Sequence, residues 1–487
     1  MRKKRIIYYN DARHYYLFVF EPPMRLQDAW VPVDEVAGTA VNTFLYGVAR
    51  GDGLFYPSKV GGRFGADREE FELSAYWRVW NNMQSLIDRD LDPLTVLVDR
   101  AHDKGMDFIA SLRMAEYESM DAAHRRDNGG GVLAHEEVRD HHYRVLEELT
   151  ADYEVDAVEM DLAMPGGSPV IPLDRAEATL PAMTEYVEKV AGMVHGHGKQ
   201  VGARVLPTEQ LNRAQGMDVA AWLEQGLVDF VVPMRYAYQV LDPDMPFDWL
   251  VEAAHRSDAS VYPSLQAYSD HKQIQRGAER LWATPEQMRA AVANCYDRGA
   301  DGVLSWFLQW PLGDAERRIL SELGDADIIA EQDKCYVLAR DAADSDPLHY
   351  KTNLPVVIAT DDAETHHPIL FYIADDTEER KERIRRILLR IRVYELVSAD
   401  QLEFILNGRS LSDQSCTRDI YRGIDGTVIN AYSGQWLEYH LHPDAWPRKG
   451  KNLLEAVLHG RADRLTGCLE IDQVHVVVEY GPYPSSQ

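Results

Sequence analysis

The chain has 487 residues with 79 acidic against 51 basic side chains, a formal net charge of −28, so its field opposes phosphate backbones and anionic membranes, and nucleic acid is excluded as an expected partner. Hydrophobic residues make up 45%, too many for a disordered chain, and the length exceeds what one compact core accommodates, which predicts two domains. Cys295, Cys335, Cys416 and Cys468 form no Cys-x-x-Cys pair and show no metal-ligand spacing, so neither a disulfide framework nor a zinc site is expected.

In chain order, the basic start Met1 to Arg5 reaches Asn10-Asp11 before the apolar core of an export signal forms. No run approaches the roughly 20 apolar residues of a membrane span. The expectation is a cytoplasmic chain that does not enter membranes and is free to form homo-oligomers. Short apolar runs then alternate with amphipathic helical stretches, the pattern of repeated βα units. The expected strands are 5–10, 40–48, 106–113, 155–162, 200–206, 228–234, 260–266 and 302–308. Helices are expected over 76–88, 94–104, 135–150, 181–197, 219–225, 248–256 and 285–298. Gly105, Gly198, Gly226 and Gly299 follow helical runs as C′ glycines would, and Thr284-Pro285-Glu286-Gln287 reads as a capping box. Eight such units predict a (β/α)8 TIM barrel over residues 1–325 rather than an open doubly wound sheet, since no Gly-x-Gly-x-x-Gly or P-loop follows the first strand. No cofactor is expected.

A helical connector over 315–332 leads into a linker, 326–350, and the pattern then changes. Runs at 355–360, 369–373, 387–393, 402–406, 436–441 and 474–479, separated by turns such as Asn407-Gly408 and Asp425-Gly426, predict a small all-β sandwich over 351–487. Its closing strands resemble the sandwich modules that accompany many carbohydrate enzymes.

In a TIM barrel the chemistry sits at the carboxyl ends of the strands. Here those ends offer Asn10 and Asp11, Arg113 and Glu116, Glu159 and Asp161, Arg204 and Glu209, Arg235, Tyr236 and Tyr238, Gln266, and Trp306, Gln309 and Trp310. Glu159 and Asp161 share a face of the fourth strand because alternate side chains do. Aromatic rings that can cover sugar faces, with carboxylates, amides and arginines for hydroxyl groups, suit a saccharide. Glycosidic hydrolysis needs two carboxyl groups, and Asp161 with Glu209 on the adjacent loop is the leading pair. Against this stands a structural role for Asp161, paired with Arg113 or Arg204, and a helix-capping role for Glu209. Glu159 lies deeper and is expected to bond Arg204 or a sugar hydroxyl. His135, His141 and His142 lie on a polar helix and His102 on an outer one, where solvation is the rule, so no metal is expected. The turn Gly51-Asp-Gly-Leu-Phe-Tyr-Pro57 offers aromatics for a substrate wall, and Gly129 to Gly131 marks a flexible third loop.

Tyr9-Asn10-Asp11, Asp156-Ala-Val-Glu-Met-Asp161 and the stretch from Gly216 to Pro233 resemble the barrels of the bacterial glycosyl hydrolase-like family 10 proteins and more distant α-glycosidase barrels. The resemblance covers most of residues 5 to 325. It implies a glycoside hydrolase or a close relative, with Asp161 matching the acid at the end of the fourth strand. Two departures qualify it. Chitinase-like barrels place a Glu where this chain has Ala163, which argues against substrate-assisted chitin hydrolysis, and retaining β-glycosidase barrels place a Glu on the seventh strand where this chain has Gln266. The acid would then come from Glu209, or from Asp242 or Asp244 on the sixth loop. Alternatives are a carbohydrate-binding barrel without catalysis, and a lyase or isomerase acting on a sugar acid, which three arginines around one mouth would favour.

Overall fold

A computed structural model describes residues 2–11, 16–50, 53–114, 132–163, 170–235, 240–274, 277–340, 349–419 and 434–481. The barrel strands are β1 (Ile6–Asp11), β2 (Thr43–Gly47), β3 (Asp107–Arg113), β4 (Ala157–Asp161), β5 (Gln200–Val205), β6 (Phe230–Pro233), β7 in two halves (Ser260–Val261 and Ser264–Leu265) and β8 (Val303–Ser305). All pair in parallel, and the sheet runs from the second half of β7 through β8, β1 and onward to β6 and the first half of β7. Because both sheet ends belong to one strand, interrupted at Tyr262-Pro263, the ring is closed.

Alternation divides each strand between two environments. Ile7, Tyr9, Leu45, Ile109, Ala157, Phe230, Val232, Met234, Tyr262, Leu304 and Trp306 fill the interior. Ile6, Tyr8, Phe44, Phe108, Val158 and Met160 pack with the surrounding helices. Two glycines let the ring close at this diameter. A Cβ at Gly202 would lie 2.0 Å from the Phe230 ring, and one at Gly302 would lie 1.9 Å from the carbonyl oxygen of Arg5. The expected helix stops appear as positive φ at Gly105, Gly198, Gly226 and Gly299, and Thr284 and Gln287 form the capping box of helix Pro285–Asp297.

The second domain is a sandwich of antiparallel sheets. One contains β9 (Lys334–Val337), β10 (Val356–Ile358), β12 (Ile384–Tyr394), β15 (Ser415–Asp419), β16 (Gln435–Leu441) and β18 (Leu469–Tyr480). The other contains β11 (His366–Ile373), β13 (Gln401–Leu406), β14 (Arg409–Ser410) and β17 (Gly450–Gly460). Ile387, Leu389, Ile391, Val474, Val476, Ile369, Phe371, Phe404 and Leu454 interleave between them. Three features depart from the sequence expectation. The connector is two helices, Asp314–Glu322 and Ala326–Ile329, broken at Gly324, where a Cβ would meet Ala40 at 2.5 Å. Part of the stretch read as linker is β9, which pairs with β18. A hairpin, Tyr268–Ile274 with Gly277–Trp282, follows β7.

The domains are locked at helix Pro285–Asp297. Ala290 enters the sandwich core, the Asn294 amide donates to the carbonyls of Pro243 (2.9 Å) and Tyr372 (3.0 Å), and Asp297 pairs with Lys449 at 2.7 Å.

Candidate active site

The strand register builds the site. Arg113 pairs across with Asp161, and Asp161 with Arg204, so three charged residues stand side by side on the inner face. One layer below, Ser111 pairs with Glu159 and Glu159 with Gly202. Arg204 is fully buried. Its Nη2 donates to Glu159 Oε2 at 2.6 Å, its Nε to Glu159 Oε1 at 3.2 Å and its Nη1 to Asp161 Oδ2 at 3.3 Å. Ser111 Oγ completes the Glu159 cage at 2.5 Å.

Arg113 extends the network outward. Its Nε lies 3.8 Å from Asp161 Oδ2 and its Nη2 3.5 Å from Asp11 Oδ2, and it donates to the Tyr9 hydroxyl at 3.4 Å. Arg50 holds Asp11 from the other side at 3.2 Å. Asp11, Glu159 and Asp161 thus alternate with Arg50, Arg113 and Arg204. Burial raises the Glu159 carboxyl above the usual range against the pull of Arg204. Burial also raises the Tyr9 phenol, with the Asp11 charge adding to it. Although burial opposes charge on Arg113, the surrounding Tyr9, Asp11 and Asp161 raise it further, so it stays cationic. The Tyr9 and Trp306 rings stack at 4.1 Å, and the Arg204 guanidinium lies over both, 4.7 and 5.6 Å from the centroids.

Several buried polar atoms here have no hydrogen-bond partner among the described residues. On the inner face these are Asp161 Oδ1, Arg113 Nε, Gln266 Oε1, Ser264 Oγ and Trp306 Nε1. On the helical side by strand parity are both amide atoms of Asn10, and Nε and Nη1 of Arg235. Native proteins leave few buried polar groups unsatisfied. Those of the inner face gather at the carboxyl ends of four strands, β3, β4, β7 and β8, and the set contains acceptors as well as donors.

The remaining expected residues are placed as follows. Glu116, Tyr236 and Tyr238 lie outside the described residues, as do Gly129 to Gly131. Glu209 is exposed at the first position of helix Glu209–Ala214, capped by Thr208, and no hydrogen bond or ion pair joins it to Asp161 among the described residues. Gln309 is exposed, and Trp310 donates to Glu35, a carboxyl that burial pushes up to about 8. Asp242 accepts from the Tyr350 hydroxyl at 2.6 Å and Asp244 pairs with Arg298 at 3.3 Å. Both line a crevice of about 130 Å³ between the domains, together with Tyr350, Asn353 and Tyr372. Asn10 has the parity of Ile6 and Tyr8 and so belongs to the helical side of β1.

Two sequence expectations are corrected. His142 is not solvated: it is fully buried, with Nδ1 2.8 Å from the Val138 carbonyl, because Val138, His142, Val145 and Leu149 form the inner stripe of a helix whose other face is charged. Burial pushes its neighbour His141 down to about 4. Phe55 and Tyr56 are not a substrate wall. Both are fully buried, Phe55 stacked on Phe64 and Tyr56 donating to Glu148 at 2.9 Å. Tyr9, Ser111 and Ser264 were missed, although each shares the strand parity of Asp11, Arg113 and Gln266, which was the available signal.

No protein-family model and no curated protein matches this chain. Solved structures similar to it include the PgaB (BpsB) glycoside hydrolase domain from Bordetella bronchiseptica, at 14% identity and TM-score 0.39, covering 63% of this chain and 94% of that one. A chitinase from Bacillus thuringiensis is similar at 10% identity and TM-score 0.40, covering 96% of this chain and 100% of that one. Alpha-L-fucosidase isoenzyme 2 from Paenibacillus thiaminolyticus is similar at 11% identity and TM-score 0.40, covering 66% and 48%. All three are glycoside hydrolases, and at these TM-scores the likeness carries no argument about this chain's chemistry.

Proposed function

We propose that this protein is a glycoside hydrolase whose saccharide substrate is held and cleaved at the carboxyl ends of the barrel strands. The observation that carries the reading is the set of buried, unpartnered donors and acceptors around Asp161, beside the stacked Tyr9 and Trp306. Sugar hydroxyls donate and accept at once, so a saccharide satisfies a mixed set that a purely anionic or purely cationic ligand would not. Asp161, held by two arginines with Oδ1 uncommitted, is assigned as nucleophile or base. Glu209 on the fifth loop is the assigned acid and would meet Asp161 only across a bound substrate.

A second reading, a saccharide-binding barrel without catalysis, is favoured by one specific observation. The two described carboxylates nearest the free atoms, Asp11 and Asp161, are both engaged by arginines, which leaves no uncommitted second carboxyl beside Asp161 among the described residues. Hydrolysis of a panel of aryl α- and β-glycosides and uronides by the native protein, Asp161→Asn and Glu209→Gln, with binding measured in parallel, separates the readings. Hydrolysis lost in Asp161→Asn by a factor on the order of 10³ or more, with binding kept, is the expected result. Binding without turnover in the native protein supports the second reading, and neither binding nor turnover overturns both.

A further inference from the structure

The strand register sets Arg204 directly opposite Asp161, and a bidentate arginine–carboxylate pair between these neighbours would be the ordinary outcome. It does not form. The two-pronged edge of the guanidinium, Nε and Nη2, is turned one layer down onto Glu159, at 3.2 and 2.6 Å, and only Nη1 reaches Asp161, through Oδ2 at 3.3 Å. Ser111, the direct partner of Glu159 on β3, donates to Glu159 Oε2 at 2.5 Å and fixes the carboxylate that holds the fork. Arg113 stands on the other side of Asp161 and is drawn off in the same way. Its Nη2 lies 3.5 Å from Asp11 and 3.4 Å from the Tyr9 hydroxyl, and its Nε stops 3.8 Å from Asp161 Oδ2. Both arginines therefore address one oxygen of Asp161, and Oδ1, in a residue only 1% exposed, has no hydrogen-bond partner among the described residues.

We infer, resting on the glycosidase reading above, that Glu159, fixed by Ser111, is a positioning residue: by engaging the two-pronged edge of Arg204 it leaves Asp161 with one oxygen free for the substrate. A carboxylate with both oxygens in a charge-assisted fork is stabilised as it stands, and that stabilisation has to be given up when it acts as nucleophile or base. With Glu159 in place the site keeps the cationic field of Arg204 and Arg113 and spares one oxygen from it. Glu159 itself touches no substrate in this assignment, since Ser111 and Arg204 occupy both of its oxygens and the residue is fully buried.

The test combines crystallography of Glu159→Gln with steady-state kinetics on the aryl glycoside and uronide panel. An amide offers one acceptor oxygen where the carboxylate offers two, so the fork is released. In the crystal structure of Glu159→Gln, Arg204 is expected to turn onto its strand partner, with Oδ1 and Oδ2 of Asp161 each about 3 Å from a guanidinium nitrogen. The expected kcat falls by on the order of 10²-fold while KM stays within about threefold, the signature of a misplaced group rather than a lost binding contact. A purely structural Glu159 would lower the melting temperature and leave both constants of the folded enzyme unchanged. Adding Arg204→Gln to Glu159→Gln removes the clamp and should raise kcat roughly tenfold over the single variant. Oδ1 still free in Glu159→Gln, kcat unchanged, or a double variant no better than the single overturns the inference. If Glu159→Gln fails to fold, Ser111→Ala loosens the same carboxylate and should lower kcat roughly tenfold, and an unchanged kcat there overturns the inference. Turnover that survives Glu159→Gln defeats this inference alone, whereas no turnover of any glycoside by the native protein defeats the glycosidase reading with it.

Discussion

Replacing Arg204 by methionine removes the one buried cation among the described residues that bonds both Glu159 and Asp161, which are 0% and 1% exposed. The methionine roughly fills the aliphatic volume, so the loss is electrostatic. Breaking a buried ion pair from one side costs about 3–5 kcal/mol, because the remaining charge is left uncompensated. For a barrel of this size that lowers the calorimetric melting temperature by on the order of 5 °C. The loss should depend on pH. Burial already raises the Glu159 carboxyl. A carboxyl raised on folding contributes stability that is fully present below its unfolded pKa of about 4.3 and is lost as pH rises through the folded value. Without Arg204 the folded value rises further, so the variant's deficit is deepest at neutral pH and shrinks in acid. Scanning calorimetry of native and variant at pH 7 and pH 5 reads both effects. A triple variant that also carries Glu159→Gln and Asp161→Asn should recover more than half of the loss, since neither carboxylate is then left charged without Arg204, while Arg113 keeps Asp11. A deficit below about 1 kcal/mol at pH 7, or one equal at both pH values, refutes the reasoning.

In the sandwich, Asp375 accepts from Lys334 (2.9 Å), Tyr336 (2.8 Å) and Tyr480 (2.7 Å) in a buried cluster, so Asp375→Ala should cost the second domain about 3–5 kcal/mol in urea unfolding. Leu in its place, combined with Lys334→Met, should cost less. Gly302→Ala drives a Cβ into the Arg5 carbonyl at 1.9 Å, and the β1–β8 pairing should lose about 1–3 kcal/mol or more, seen as a lower melting temperature. Enclosure first, then the Arg390 and Arg392 charges, push His475 down to about 3. Its stabilising contribution is therefore present above the unfolded pKa of about 6.5 and lost as pH falls from there toward 3. His475→Gln should flatten that part of the stability profile of the second domain.

The barrel was legible because strands buried on both faces read as nearly unbroken apolar runs. The acids and arginines that interrupt them at alternate positions marked the inner face, which is why Glu159 and Arg204 were expected to meet. What escaped the sequence depends on partners distant along the chain. β9 is four residues long and becomes a strand only by pairing with residues 475–478. His142 looked solvated because local polarity outweighed a four-residue apolar stripe. The bracing of Arg235 by Arg340 and Tyr350 joins residues more than a hundred positions apart. Thr208 before Glu209 was the one local sign that the fifth loop turns into a helix whose first side chain points to water.

The interruption of β7 makes the barrel a ring with a seam. On one side of it the backbone is tied by Ser260 to Asp229 and Tyr262 to Val231, and on the other by Leu304 to Pro263 and Trp306 to Leu265. The joints between β1, β2, β3, β4 and β5 are registered ladders of five residue pairs each. Fluctuations that dilate the ring concentrate where the fewest bonds must part. Amide protons at 262 and 304 should therefore exchange ahead of their counterparts in β2 to β5. Gln266 and the hairpin strands Tyr268–Ile274 and Gly277–Trp282 follow directly on this seam, so an opening of the ring there should bring the buried polar atoms of Ser264 and Gln266 to solvent before those of β3 and β4.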